Sequence, residues 1–240
     1  LQGRPARSCR GLARLRASRR CLAIRGGVSV PLGSSVSQLL MSTLAVSLAY
    51  VLGVLPAAYL VARATKGVDI RLVGSGNPGA LNVYRQVGAT AALVVLLLDV
   101  GKGAVVVVLS RWFGASEMAT YMAALAVVVG HNWSLFLGLR GGKGVATVMG
   151  ISLAVLPLLT VVVVPFAALA LGATRNVVIS MAATFTLLNV LTIATSQPVH
   201  QIALCLGLTV LVASTHFHRA GPQMMPALRE RWWMDATRVE

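Results

Sequence analysis

The sequence predicts an all-α, polytopic integral membrane protein of about seven short transmembrane helices. Three observations carry that prediction. The chain is 57% hydrophobic and only 11% charged, with a mean hydropathy of +0.80, whereas a soluble domain is about 25% charged. Apolar runs of the length that spans a bilayer, about 20 residues, recur along it. Ten-residue segments of alternating polarity, the mark of a membrane β-barrel, are absent.

Residues 1–40 are rich in Arg, Ser and Gly and lack an apolar core, so they do not form a secretory signal. They hold eight arginines and no acid, which leaves the rest of the chain at 15 − 8 = +7. Such a stretch suits an organellar transit peptide or, the favoured reading, a start site placed upstream of Met41. It is set aside as a basic N-terminal extension. The basic balance does not imply a nucleic-acid partner, because no soluble basic face is available. The cysteines Cys9, Cys21 and Cys205 show neither a disulfide framework nor metal-ligand spacing.

The first span is expected near 42–62, with Pro56 inside it. A basic connector, Arg63 to Arg71, leads into Gly74-Ser75-Gly76-Asn77-Pro78-Gly79-Ala80-Leu81-Asn82-Val83-Tyr84-Arg85. This stretch is small, polar and glycine-rich. Bare backbone amides and positive φ suit an anion-wrapping loop. Ser75, Asn77 and Asn82 add donors, and Arg85 adds a fork that matches phosphate. The second span, near 89–109, contains Asp99 and Lys102 on one helix face. Intramembrane charges are costly, so these two line a site or pin the helix to its neighbours. Arg111-Trp112-Phe113 begins an interfacial turn.

The third span, near 118–137, carries His131 towards its end, where a site residue, a cap and an interfacial anchor are all admissible. A second glycine-rich cationic loop follows, Gly138-Leu139-Arg140-Gly141-Gly142-Lys143-Gly144. From Val145 to Leu171 the chain is apolar but broken by Pro157 and Pro165. Two short helices there, rather than one, return Arg175 and the arginine-rich tail to the side of Arg63, Lys66, Arg85 and Lys143. Further spans are expected over 177–195 and 199–215, then a basic tail. The domain so defined covers residues 41–219, with 220–240 as the tail.

Several chemistries are disfavoured. Gly74-x-Gly76-x-x-Gly79 has the dinucleotide-binding spacing, but its acidic partner Asp99 lies inside a span. Gly142-Lys143-Gly144 lacks the upstream glycine and the following Ser or Thr of a P-loop. No histidine has Asp five residues on, so a His-x-x-x-x-Asp dyad is missing. Six acids offer little for a metal site.

Gly74-Ser75-Gly76-Asn77-Pro78-Gly79-Ala80-x-Asn82-Val83-x-Arg85, Leu98-Asp99-x-x-Lys102-Gly103, Gly130-His131-x-x-x-x-Phe136 and Gly141-Gly142-Lys143-Gly144-Val145-Ala146-Thr147 stand in the same order in a known family. The chain resembles the bacterial membrane acyltransferases that use acyl phosphate and glycerol 3-phosphate. The resemblance implies seven membrane helices in the cell (inner) membrane and a site facing the cytoplasm. It implies transfer of a fatty acyl group from acyl phosphate to the sn-1 hydroxyl of glycerol 3-phosphate, without cofactor or metal. Membrane lipid and the enzyme that makes acyl phosphate are the implied partners.

By the same resemblance Ser75, Arg85, Lys143 and His131 are the catalytic set. Gly74, Gly76, Asn77, Gly79, Asn82, Gly141, Gly142, Gly144 and His218 bind substrate, and Asp99, Lys102 and Ser180 support them. The chain departs from the family after His218-Arg219, where Ala220-Gly221 replaces the expected x-Asn. An organic-phosphate transporter and an inactive paralogue are the alternative readings.

Overall fold

A computed structural model describes the backbone of residues 32–236 and the side chains of residues 36–219. Among the described residues it is helical, without strands. Helix α1 (Leu32–Val54) begins ahead of Met41, so residues 32–40 continue the first span rather than standing apart from it. The remainder of the N-terminal extension lies outside the described residues. Pro56 separates α1 from α2 (Ala57–Lys66), because proline removes a backbone donor and clashes with the preceding turn. Helix α2 ends at Gly67, whose φ of 67° supplies a left-handed cap.

The central stretch folds into a turn and a short helix, α3 (Ala80–Gln86). Helices α4 (Ala89–Trp112) and α5 (Glu117–Asn132) follow. Ser116 caps α5, its Oγ accepting from Ala119 N at 3.2 Å. Trp112 and Phe113 stay exposed at that turn, as an interfacial anchor requires. A single 3₁₀ turn (Leu135–Leu137) precedes the second glycine loop.

The 145–171 run does divide, into α6 (Val145–Val155) and α7 (Pro157–Thr174), with the break at Leu156 before Pro157. Pro165 sits inside α7 without ending it. Helix α8 (Val177–Ala194) and a long α9 (Val199–Ala236) complete the chain. The backbone of α9 thus carries helix well past the expected end of the last span.

Six segments among the described residues are long and apolar enough to cross a membrane. Helix α6 is not one of them, since its 11 residues reach only about 16 Å at 1.5 Å each. It lies alongside α4 and runs the same way. Gly103 abuts the Thr147 carbonyl, Gly150 abuts the Val100 carbonyl, and Arg111 Nη1 donates to Ala154 O at 3.0 Å. Helices α1 and α5 are joined in the same manner, Gly53 against the Val127 carbonyl and Gly130 against that of Tyr50.

These glycines have a physical reason. Lipid is as apolar as leucine, so helices associate in a bilayer through close packing and hydrogen bonds, and small residues allow the closest approach. Gly150→Ala would drive a methyl group into the Val100 carbonyl. It is expected to cost about 1–3 kcal/mol by overpacking, read as a lower melting temperature in detergent.

Two buried clusters result. The larger joins α1, α4, α5, α6, α8 and α9 around Val107, Val127, Val128, Val148, Ile151 and Leu208. The smaller holds Ala58, Ala62, Ile70, Val83, Ala91, Ala92 and Val95, and seats the central loop on α2 and the first half of α4. Both glycine loops and the 215–219 part of α9 lie at one end of the bundle. The starts of α5 and α9, where the side chains of Glu117 and His200 meet at 3.0 Å, lie at the other.

Candidate active site

The first loop is organised around Asn82. Its side chain is buried, donates to Ile70 O (3.0 Å) and Val73 O (3.1 Å), and accepts from Ser75 N (3.2 Å). One amide therefore ties both strands of the loop together. Gly74, at φ 59°, is needed because any Cβ there would collide with the Asn82 side chain. Gly76 N donates to Val73 O, Gly79 N to Asn77 O, and Asn77 N lies 3.5 Å from Ser75 Oγ.

The amides of Gly76 and Gly79, expected to face an anion, are thus spent inside the loop, as is that of Ser75. The Ser75 hydroxyl and the Arg85 guanidinium are left exposed. Beneath them Arg71 forks onto Asp69, with Nη2 2.6 Å from Oδ2, and stacks on Tyr59. That pairing holds the Asp69 carboxyl down at about 2 and raises the guanidinium of Arg71.

Asp99, Lys102 and His131 come together under the second loop. Lys102 Nζ lies 2.8 Å from Asp99 Oδ1 and 2.5 Å from His131 Nδ1, and Asp99 Oδ1 is 3.5 Å from His131 Nδ1. All three are buried. The one-face spacing of Asp99 and Lys102 makes the pair, and α5 brings His131 to it. Gly142 packs directly on the His131 ring beside Nε2. His131 is therefore buried, with Nδ1 towards Lys102 and Nε2 beside Gly142.

The second loop folds back on the end of α5. Gly141 N donates to Asn132 O and Gly142 N to His131 O, both at 3.1 Å. Their amides are engaged, so the glycines serve close approach: a Cβ at position 141 would strike the His131 carbonyl, and one at 142 its ring. Gly144 takes φ 79° against the Asn132 side chain. Lys143 remains half-buried. Burial, and secondarily the charge of Arg219, push its ammonium below the ordinary lysine value.

Helix α9 supplies residues that local sequence did not reveal. Thr215 Oγ1 accepts from Asn132 Nδ2 at 2.9 Å, and the Arg219 guanidinium donates to Asn132 O, Gly141 O and Gly142 O (3.0 Å for the last). His216 keeps a buried Nδ1 without a partner. The i,i+4 spacing of Thr215 and Arg219 was the available signal, but nothing in the sequence said what that face met. His218 is exposed. Ser180 is bound at the α7–α8 turn, donating to Asn176 O at 2.8 Å and meeting Thr174 Oγ1 at 2.9 Å.

The structure thus joins Asp99, Lys102, His131, Gly141, Gly142 and Gly144 into one assembly with Lys143 on its loop. Ser75, Asn77, Asn82 and Arg85 form a second unit at the same end of the bundle. Among the described residues no hydrogen bond or ion pair links the two loops, and no group of three or more His, Cys, Asp or Glu side chains is placed to hold a metal.

Comparison with known proteins gives this arrangement its family. The glycerol-3-phosphate acyltransferase family profile matches residues 43–222. The chain belongs to that family. A glycerol-3-phosphate acyltransferase of Thermus thermophilus is 43% identical over 169 residues, 70% of this chain and 84% of that protein. One of Synechococcus sp. (strain CC9902) is 50% identical over 115 residues, and there the chain spans 58% of the relative's length.

Among solved structures, PlsY, an integral membrane glycerol 3-phosphate acyltransferase, superposes in its glycerol 3-phosphate form with a TM-score of 0.68 and 29% identity. That match covers 79% of this chain and 93% of the other. A lysophosphatidic acid form of PlsY gives 0.67 and 28%. The multi-pass membrane architecture and the family expected from the motif order both stand.

Proposed function

We propose that this protein transfers a fatty acyl group from acyl phosphate to the sn-1 hydroxyl of glycerol 3-phosphate, releasing lysophosphatidic acid and inorganic phosphate. The observation that carries this reading is the concentration of Ser75, Arg85 and Lys143 at one end of a fold shared with a protein whose structures hold glycerol 3-phosphate and lysophosphatidic acid. The excess of Arg and Lys at that end supports a cytoplasmic orientation in the cell (inner) membrane.

Acyl phosphate is a mixed anhydride, so no covalent enzyme intermediate is required. The acceptor oxygen attacks the acyl carbon, the bond from that carbon to the phosphate oxygen breaks, and phosphate leaves with the electron pair. Arg85 and Lys143 hold the two anionic substrates against each other, and the Ser75 hydroxyl fixes orientation. Such positioning supplies much of the rate. The cations also offset the negative charge that develops as the carbonyl is attacked. The acceptor proton passes to a substrate phosphate oxygen. His131 is buried, with Nδ1 engaged by Lys102 and Nε2 beside Gly142. His131, with Lys102 and Asp99, serves as the floor on which the second loop rests. Asn82 holds Ser75, and Gly74 allows that approach.

The test is acyl transfer by purified protein to labelled glycerol 3-phosphate, with acyl phosphate or acyl-CoA as donor. Lysophosphatidic acid from acyl phosphate alone is the expected product. Folded protein that makes none with either donor overturns the reading.

A further inference from the structure

We propose that Arg219 is a positioning residue that clamps the second glycine loop in its substrate-binding form; this rests on the acyl-transfer reading of the loop. Its guanidinium reaches three carbonyls on two separate segments, Asn132 at the end of α5 and Gly141 and Gly142 in the loop. Asn132 O already accepts from Gly141 N, so Arg219 closes a local network. Thr215, one turn earlier on the same helix face, holds the Asn132 side chain. Lys143 follows Gly142 directly, so the peptide that Arg219 grips sets where the Lys143 ammonium can go.

The residue type matters. A guanidinium carries five N–H donors in a rigid planar fork and can satisfy carbonyls lying on either side of it. An ammonium is a point charge on a flexible stem and cannot span the same acceptors. No acidic side chain pairs with Arg219 among the described residues. Its charge is met by carbonyl dipoles and adds to that of Lys143, whose ammonium it influences. A loop that must receive phosphate is thereby held by a cation rather than a carboxylate, which keeps the local field favourable to an anion. The divergent sequence after Arg219 leaves this contact intact, because the clamp needs only the arginine and backbone.

The experiment compares Arg219→Gln and Arg219→Lys with the unmodified protein, each with and without Lys143→Ala. It reads both KM values, kcat, the melting temperature and amide exchange at Gly141 and Gly142. Both arginine variants are expected to raise the KM for a phosphate-bearing substrate at least tenfold, with the melting temperature held within a few degrees. In the Lys143→Ala background, Arg219→Gln is expected to change kcat/KM less than threefold, because the two residues act as one unit. Exchange at the two amides should accelerate at least tenfold in Arg219→Gln.

Wild-type KM values in Arg219→Lys, or effects that multiply independently of Lys143, would overturn the proposal. If the unmodified protein makes no lysophosphatidic acid, the functional reading fails on its own, and the exchange measurement decides the clamp. Unchanged protection at Gly141 and Gly142 sinks it; lost protection sustains it.

Discussion

Lys143→Ala is expected to lower kcat/KM for acyl transfer by roughly 10²–10³-fold, the range seen when one preorganised stabilising donor is removed from an active site. The melting temperature should stay within a few degrees, since no hydrogen bond or ion pair of the Lys143 side chain holds the fold among the described residues. What the residue contributes is a half-buried cation on a loop whose backbone is fixed from below by His131 and from the side by Arg219.

A pH profile sharpens the expectation. Lys143 acts in its charged form, and burial together with the charge of Arg219 lowers its pKa from the ordinary lysine value. The sign follows directly: activity should be retained at lower pH and lost as pH rises, with the alkaline limb lying below where an unperturbed lysine titrates. Lys143→Arg should shift that limb upward, because guanidinium stays charged throughout. An unchanged limb in Lys143→Arg would assign it to another group. A Lys143→Ala protein with wild-type kcat/KM would remove the second loop from the site altogether.

Lys102→Met is expected to be the most destabilising single change in the protein. It leaves Asp99, with 3% of its side chain exposed, without its partner at 2.8 Å. Breaking a buried pair from one side costs about 3–5 kcal/mol, far more than the pair's own net worth. For a protein of this size that is a fall of roughly 6–20 °C in melting temperature. His131 would be the nearest remaining partner, 3.5 Å from the carboxylate. Any shift of its ring passes to Gly142, which rests on it, so acyl transfer should fall as well.

The control is the double variant Asp99→Asn with Lys102→Met. Removing both charges should restore most of the lost stability, because the penalty lies in the orphaned charge. A double variant melting as low as Lys102→Met would show that the lysine stem, rather than its charge, is what the site needs.

Much of the architecture was legible in advance, each feature for an identifiable reason. Apolar runs report spans because a bilayer demands continuous hydrophobic length. The break before Pro157 was readable because proline ends a helix and because positive charge sorts to one side. The Asp99–Lys102 pair was readable from i,i+3 geometry alone. The motif order placed Lys143, Arg85 and Ser75 in two glycine-rich loops, and both loops do sit at one end of the bundle.

The rest required contacts between residues distant along the chain. Glycine was read in the first loop as a source of free amides, and in the second as part of a cationic phosphate site. In the structure Gly141 and Gly142 instead allow close packing on His131, and Asn82 acts as an internal tie for its loop. Composition cannot separate these uses, since both need a missing Cβ. Helix α6 falls short of a span, yet glycines on both helices let it lie against α4.

The sequence by itself determined the membrane class, the recurring apolar runs, the end at which charge gathers and the residue types available for phosphate. Those properties follow from local composition and periodicity, which the bilayer and helix geometry read directly. Only the tertiary structure decided that His131 is buried against Lys102, that Ser180 bonds back to the α7–α8 turn, and that Arg219 rather than His218 reaches the second loop. Those outcomes depend on which helix faces meet, and that is set by packing across the bundle rather than by any one segment.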